Sequence, residues 1–160
     1  MTNDADWRVH FARLHALPLG SSNAEKQQRG ADFEVALRGM FQAAGMDPRS
    51  RYRPSAEEID GSFLYRGRVM LFEAKWTRDP VPASALYQFR GKLDGKLAGT
   101  LGAFLSMAGY SKDAVDALVA GKSLNLILFD GEDMRKLSEP GCIGIKTALD
   151  LKLRGAAERR

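Results

Sequence analysis

The sequence predicts an α/β fold in which a mixed central sheet, built from one antiparallel hairpin and additional parallel strands, is flanked by helices. Three observations support this prediction. A hairpin pattern occupies residues 58–76, the apolar runs at 100–107 and 125–129 have the composition of buried strands, and helical patterns stand between these segments. Strands that alternate with helices in this way indicate a sheet with parallel components.

Two helices are predicted before the first strand. An amphipathic pattern within residues 1–20 indicates an N-terminal helical extension, which we expect to lie outside the core and to pack on the domain or on a second copy of the chain. The next helix begins at Ser22, which forms a capping-box pattern with Glu25. It runs to Ala44, and Gly45 is a typical stop signal.

The hairpin is predicted from two strand-like segments, 58–64 and 68–76, joined by a tight connection at Arg66 and Gly67. The segment Val69–Phe72 is apolar on both faces of the second strand. Strands of that kind are buried in the middle of a sheet. We therefore expect the second strand of the hairpin to be central.

The hairpin register places charged residues together. If Tyr65 pairs with Arg68, Asp60 stands directly opposite Glu73, and directly opposed residues point to the same side of a sheet. Lys75 follows two residues after Glu73 and therefore shares its face. This register predicts two carboxylates and an ammonium group on one face of the hairpin.

Two opposed carboxylates repel each other by about half a kcal/mol, and a cation between them would reverse the sign. Mg²⁺ suits hard oxygen ligands and commonly takes one or two carboxylates together with phosphate oxygens. Lys75 could then polarise a water molecule or hold a phosphate oxygen. An alternative stays open, because Lys75 also lies opposite Glu58 in this register and the group could be an ordinary network of weak surface ion pairs.

The segment Ile59-Asp60, followed after twelve residues by Glu73-Ala74-Lys75, resembles the core of the PD-(D/E)XK nuclease superfamily, with Ile59 where the family often has proline. The resemblance implies a metal-dependent nuclease with a restriction-endonuclease-like fold. It also implies that Lys75 orients or deprotonates the attacking water, and that Mg²⁺, or Mn²⁺ as a substitute, is the cofactor. The metal ligands it implies are Asp60, Glu73, the carbonyl of Ala74 and Glu34.

Glu34 is included because Gly30-Ala-Asp-Phe-Glu34 is similar to the first-helix setting in which Mrr-type enzymes direct a glutamate at the metal site. Glu34 is also the one charge on the inward stripe of the second helix. A glutamate at the edge of such a stripe, with its carboxylate turned toward water, is the structural alternative.

Basic residues at two places could contact nucleic acid. A helix is predicted over 84–97, and the resemblance implies a glutamine or basic residue of this helix near the metal site, for which Gln88 is the candidate. The candidates for phosphate contacts are Arg90 and Lys92 on this helix, and Arg49, Arg51 and Arg53, which alternate along an extended stretch. Ordinary solvation explains both groups as well. The net charge of +4 and the pI near 9.3 are consistent with a polyanionic partner.

The remaining sequence features exclude several classes. Cys142 is the single cysteine and His10 and His15 are the two histidines, so an internal disulfide is excluded and a Cys/His zinc site is not credible. The sequence shows no signal peptide and no membrane-spanning run, so we expect a cytoplasmic protein. Residues 21–153 are interpreted as one nuclease-like domain, and 154–160 as a polar tail that frays.

These observations favour a Mg²⁺-dependent DNA endonuclease. Two alternatives remain at the level of the sequence: a structure-specific nuclease of the same fold that cuts junctions, flaps or single strands, or a non-catalytic nucleic-acid-binding or protein-interaction module. DNA is the expected partner. No second domain for base recognition is evident in 160 residues, so we expect targeting to depend on a homodimer, on a separate recognition or activator protein, or on loops.

Overall fold

A computed structural model describes residues 4–18, 22–52, 57–120 and 125–158. Within these ranges the chain forms a five-stranded sheet flanked by six helices. The sheet is mixed, as the sequence predicts. No helix in the described ranges has both the length and the apolar character that a membrane span needs. In chain order the elements are α1 (Asp4–Ala16), α2 (Asn23–Ala43), β1 (Arg49–Tyr52), β2 (Ile59–Tyr65), β3 (Arg68–Lys75), α3 (Ala83–Asp94), β4 (Leu101–Ser106), α4 (Lys112–Val119), β5 (Leu126–Asp130), α5 (Gly131–Ser138) and α6 (Ile145–Glu158).

The strands lie in the order β1-β2-β3-β4-β5, so β3 is central, as its apolar sequence predicts. β1, β2 and β3 are antiparallel to one another in turn, whereas β3, β4 and β5 are parallel. Tyr65 pairs with Arg68, which confirms the predicted hairpin register. Arg66 and Gly67 both have positive φ, at 51° and 75°. Two consecutive left-handed residues form the tight turn whose twist matches that of the strands.

Apolar cores cover both faces of the sheet. On one face the side chains of Phe72 and Ala74 pack in a cluster with α1, α2, α5 and α6. On the other face Leu71 packs in a second cluster with α3 and α4. Successive residues of a strand point to opposite faces. The two clusters therefore fix which side of the sheet each residue of β3 presents.

The expectation that the N-terminal helix lies outside the core is wrong. Its apolar residues Trp7, Phe11 and Leu14 are buried in the main cluster. The ring of Phe11 lies 5.6 Å from that of Trp76, which directly follows β3. Packing these aromatic side chains against the sheet removes a large apolar area from water, which is favourable and explains why α1 is part of the core. The predicted boundary at residues 20 and 21 lies outside the described residues.

The C-terminal part of the chain differs from the expectation as well. Residues 154–158 are the last turn and a half of α6, and not a frayed tail; residues 159–160 lie outside the described part. α6 is held because Ile145, Ala148 and Leu149 are buried in the main cluster. α5 begins at an Asp130 capping box. The predicted helix over 84–97 ends earlier, at Asp94.

Candidate active site

The hydrogen-bond ladder between β2 and β3 ends where the candidate residues begin. Its last pair is Gly61 with Phe72, one pair short of the expected pairing of Asp60 with Glu73. Beyond it, Oδ2 of Asp60 accepts a hydrogen bond of 2.9 Å from the backbone N–H of Ala74. The Asp60 side chain thus satisfies a donor of β3 that the neighbouring strand no longer reaches. This contact fixes Asp60 against the Glu-Ala-Lys segment.

The carbonyl of Ala74 points toward the same side of the strand as its N–H, because both groups of one β-strand residue are directed to the same neighbouring strand. That side is occupied by Asp60. The carbonyl lies beyond the last pair of the ladder. A carboxylate oxygen and a backbone carbonyl therefore lie on the same side of β3 at the end of the hairpin, and both are oxygen ligands that Mg²⁺ accepts.

Arg51 of β1 connects three carboxylates around this point. Its guanidinium forms ion pairs with Glu34 of α2 and with Glu58, and one of its nitrogens lies 3.9 Å from Oδ1 of Asp60. Nε of Arg51 also donates to Glu34 at 3.4 Å. The planar fork of an arginine suits several carboxylates at once. Arg51 therefore holds Glu34 and Asp60 on one side of the hairpin end.

The electrostatic environment of Glu34 is unusual. Burial raises the pKa of this carboxyl above its ordinary value, and the hydrogen bond from Arg51 opposes that shift without cancelling it. The negative charge of Asp60 raises the pKa further, and both carboxylates share Arg51 as a neighbour. The pKa of Arg51 is raised, mainly by its hydrogen bond to Glu34. Glu34 thus lies on the same side of the hairpin end as Asp60, and its role there stays a prediction.

Glu73 lies next to this group but faces α3. Its carboxylate accepts a hydrogen bond of 3.0 Å from Nζ of Lys92 and lies 3.9 Å from Nζ of Lys75. In the described part of the chain, no three acidic, histidine or cysteine side chains are gathered closely enough to hold one ion. Asp60 and Glu34 are paired with Arg51, whereas Glu73 is paired with two lysines. The predicted ligands are neighbours, and each already lies opposite a positively charged side chain.

An open cleft of about 930 Å³ lies over the hairpin end, and Glu34, Arg51, Asp60 and Lys75 all line it. A second cleft of about 1040 Å³ continues from it along the loop after β3. The residues common to both clefts are Lys26, Lys75, Trp76 and Thr77. Together they form one groove that passes Lys75.

Comparison with known proteins places the chain in a family. Residues 26–138, more than half of the chain, match the model of the Mrr catalytic domain, described as a restriction endonuclease. The chain belongs to this family. No curated protein matches the sequence.

One solved structure shares the fold of this Mrr-type domain at low sequence identity, and two others are more weakly similar. The DNA modification-dependent restriction endonuclease AspBHI is 15% identical with a TM-score of 0.54, and the match covers 96% of this chain and 39% of AspBHI. AF1548, a protein of unknown function, is 20% identical with a TM-score of 0.48, covering 74% of this chain and 64% of that one. MspJI, in complex with a 27-mer oligonucleotide, is 13% identical with a TM-score of 0.45, covering 97% and 35%. The chain spans less than two thirds of the length of each.

The remaining predicted contact residues of the Mrr-type domain lie on α3, on β1 or outside the described residues. Gln88 is exposed on α3, one turn before Lys92, and none of the described hydrogen bonds or ion pairs of α3 joins it to the carboxylates. Arg90 lines a separate cleft at the far end of α3. Arg49 is exposed on β1. Arg53 lies outside the described residues.

The sequence did not reveal what Arg51 and Lys92 do in this domain. Both were expected to contact phosphates, yet they pair with the acidic residues of the site. The signal available for Lys92 was its position four residues after Gln88, which puts both on one face of α3. For Arg51 the sequence showed an alternating arginine pattern and gave no indication that Glu34 would be its partner.

Proposed function

We propose that this Mrr-type domain is a Mg²⁺-dependent DNA endonuclease that hydrolyses phosphodiester bonds. The observation that carries the proposal is the hydrogen bond from Ala74 to Asp60, which brings an acidic side chain of β2 against the Glu73-Ala74-Lys75 segment of β3. Membership of a restriction endonuclease family supports the same reaction class. Lys75 lines the cleft next to Asp60, where a substrate phosphate can approach.

The chemistry of the donors fits a hard cation. The groups that would hold it are the carboxylates of Asp60 and Glu73 and the carbonyl of Ala74. Glu34 is a further acidic group, and it lines the same cleft as Asp60 and Ala74. When bound, Mg²⁺ supplies a Lewis acid for the phosphoryl oxygens and lowers the pKa of a bound water. Since Glu34, Asp60 and Glu73 are each opposite Arg51 or a lysine, binding requires them to exchange these partners.

Lys75 is placed to act on the substrate. Its side chain is 44% exposed, and its ammonium lies 3.9 Å from Glu73, so it can reach into the cleft while it remains near the acidic group. An ammonium here can donate to the attacking water and hold it toward the phosphorus, or stabilise negative charge on a phosphate oxygen. Lys92, 21% exposed and bonded to Glu73, is better placed to orient that carboxylate than to bind DNA.

The groove gives the DNA backbone a path past Lys75. Basic side chains line both parts of it: Lys26, Arg38, Arg51 and Lys75 in the first cleft, and Lys26, Arg29, Lys75 and Arg78 in the second. Such side chains bind phosphates without reading base sequence. We propose this groove, in place of the surface of Arg49 and Arg90, as the DNA-binding site. Recognition of particular sites then falls to a partner protein, a second copy or a further segment.

The test is cleavage of duplex, branched, single-stranded and methylated DNA with and without Mg²⁺, by the parent and by Lys75→Ala. Lys96→Ala is the matched control, because Lys96 pairs with Glu57 elsewhere on the surface and the variant loses the same charge. We expect Mg²⁺-dependent cleavage by the parent and by Lys96→Ala, and none by a correctly folded Lys75→Ala. Equal rates for Lys75→Ala and the parent would show that this mechanism is wrong.

A further inference from the structure

Arg51 is the residue at which the acidic groups of the site converge. Its guanidinium contacts Glu34 and Glu58 directly and approaches Asp60. The side chains of Glu34 and Asp60 are 13% and 14% exposed, so their charges are only weakly screened by water. Burying such carboxylates together is costly unless a cation neutralises them. In this structure Arg51 has that role.

Arg51 and a divalent ion would compete for the same oxygens. A nitrogen of Arg51 lies 3.9 Å from Oδ1 of Asp60, whereas Oδ2 is engaged by the Ala74 N–H, so Oδ1 is the oxygen for which a divalent ion would compete with Arg51. Two positive charges at such short separation repel strongly in a partly buried site. The ion and the guanidinium therefore cannot share Asp60 and Glu34 without a large cost.

Arg51 also has a route out of the cluster. Half of its side chain is exposed, and β1 is an edge strand whose four residues are all exposed. A rotation of the long arginine side chain carries the guanidinium into the cleft without moving the backbone of the sheet. Glu58, at the more exposed end of the cluster, can retain one of its contacts.

We propose that Arg51 is an internal competitor of the catalytic cation: it occupies Glu34 and Asp60 until a divalent ion displaces it, and it thereby sets the affinity of the site for that ion. This inference rests on the proposed function, since it concerns the same acidic groups. Arg51 is accordingly a positioning residue. Removal of a metal ligand weakens ion binding, whereas removal of Arg51 should strengthen it.

The experiment is titration of Mg²⁺ into the purified chain without DNA, followed by calorimetry, for the parent, Arg51→Ala and Arg51→Gln. Arg49→Ala is the control, because Arg49 lies two residues earlier on the same face of β1 and the variant loses the same charge. We expect Arg51→Ala and Arg51→Gln to bind Mg²⁺ about tenfold more tightly or better, from removal of one adjacent charge. Arg49→Ala should bind Mg²⁺ as the parent does.

A second measurement guards against a folding defect. Without added metal, Arg51→Ala leaves three carboxylates without their shared cation, so the variant should unfold at a lower temperature than the parent. Saturating Mg²⁺ should raise the unfolding temperature of the variant more than that of the parent. Unchanged or weaker Mg²⁺ binding by both Arg51 variants, with binding intact in the parent, would overturn the inference alone. Absence of binding in the parent and in every variant would overturn the proposed function with it.

Discussion

Asp60 has two roles in this account, and two substitutions separate them. Its Oδ2 accepts the Ala74 N–H, which is a structural contact, and its negative charge is a proposed ligand for the cation. Asp60→Ala removes both roles. Asp60→Asn retains an oxygen that can accept from Ala74 but removes the charge.

The size of each effect follows from the contact. A hydrogen bond to a charged group contributes about 1.5–3 kcal/mol, and the donor here lies on a central strand at a residue only 7% exposed. We expect Asp60→Ala to lower the free energy of unfolding by that amount, with about 2–4 °C in unfolding temperature for each kcal/mol in a domain of this size. Asp60→Asn should cost clearly less. Replacing a residue that supports a metal ligand typically lowers metal affinity by about 10- to 100-fold. We expect both Asp60 variants to lose more Mg²⁺ affinity than this, because Asp60 is itself a proposed ligand.

The assay is urea denaturation without metal, paired with Mg²⁺ calorimetry on the same preparations. Asp116→Asn, on the exposed surface of α4, controls for the loss of one negative charge. If Asp60→Ala were as stable as the parent, the contact with Ala74 would not hold the hairpin end together. If Asp60→Asn bound Mg²⁺ as the parent does, Asp60 would not be a ligand and the site would have been assigned to the wrong residues.

Three further changes test the fold and the electrostatics. Tyr110→Phe removes a hydroxyl shared between carbonyls of β4 and β5 at 2.7 and 2.8 Å; it should cost about 1 kcal/mol in urea denaturation and leave Mg²⁺ affinity unchanged. Gly61→Ala would place a methyl group 2.4 Å from an aromatic ring of β3 and 2.6 Å from a carbonyl of β1, so we expect a loss of about 1–3 kcal/mol or more by the same assay. The raised pKa of Glu34 means that the folded chain keeps this proton after the unfolded chain has lost it near pH 4.5, so the contribution of Glu34 to stability falls as pH rises through the interval above 4.5. Unfolding of the parent and Glu34→Gln without metal, from about pH 4 to 7, should show the stability of the parent falling relative to that of the variant as pH rises.

The sequence predicted correctly those features of the structure that neighbouring residues determine. The Arg66-Gly67 turn gave the hairpin register, because two left-handed residues fit few other conformations. The apolar character of β3 predicted its central position, and Ser22 with Glu25 predicted the start of α2. Each of these depends on neighbouring residues and not on the rest of the fold.

Contacts between distant elements could not be predicted in the same way. Arg51 and Glu34 belong to a strand and a helix whose spacing depends on the packed core, and long charged side chains can reach several partners. The N-terminal helix likewise looked peripheral, because its burial depends on Trp76 and α2, which the helix pattern does not show. The predicted helix over 84–97 was too long for the opposite reason. Leu97 continues the apolar spacing of α3 and so appeared to be a buried residue of the helix, yet it follows the helix end and is 86% exposed.

The most direct test of the account is the position of a divalent ion in crystals of the parent protein grown with Mn²⁺, located by anomalous scattering. We expect one peak at the end of the hairpin, bound by Asp60, Glu73 and the carbonyl of Ala74, with the guanidinium of Arg51 turned away from Asp60. A preparation that cuts DNA but binds Mn²⁺ elsewhere, or not at all, with Arg51 and Lys92 still paired to these carboxylates, would contradict it.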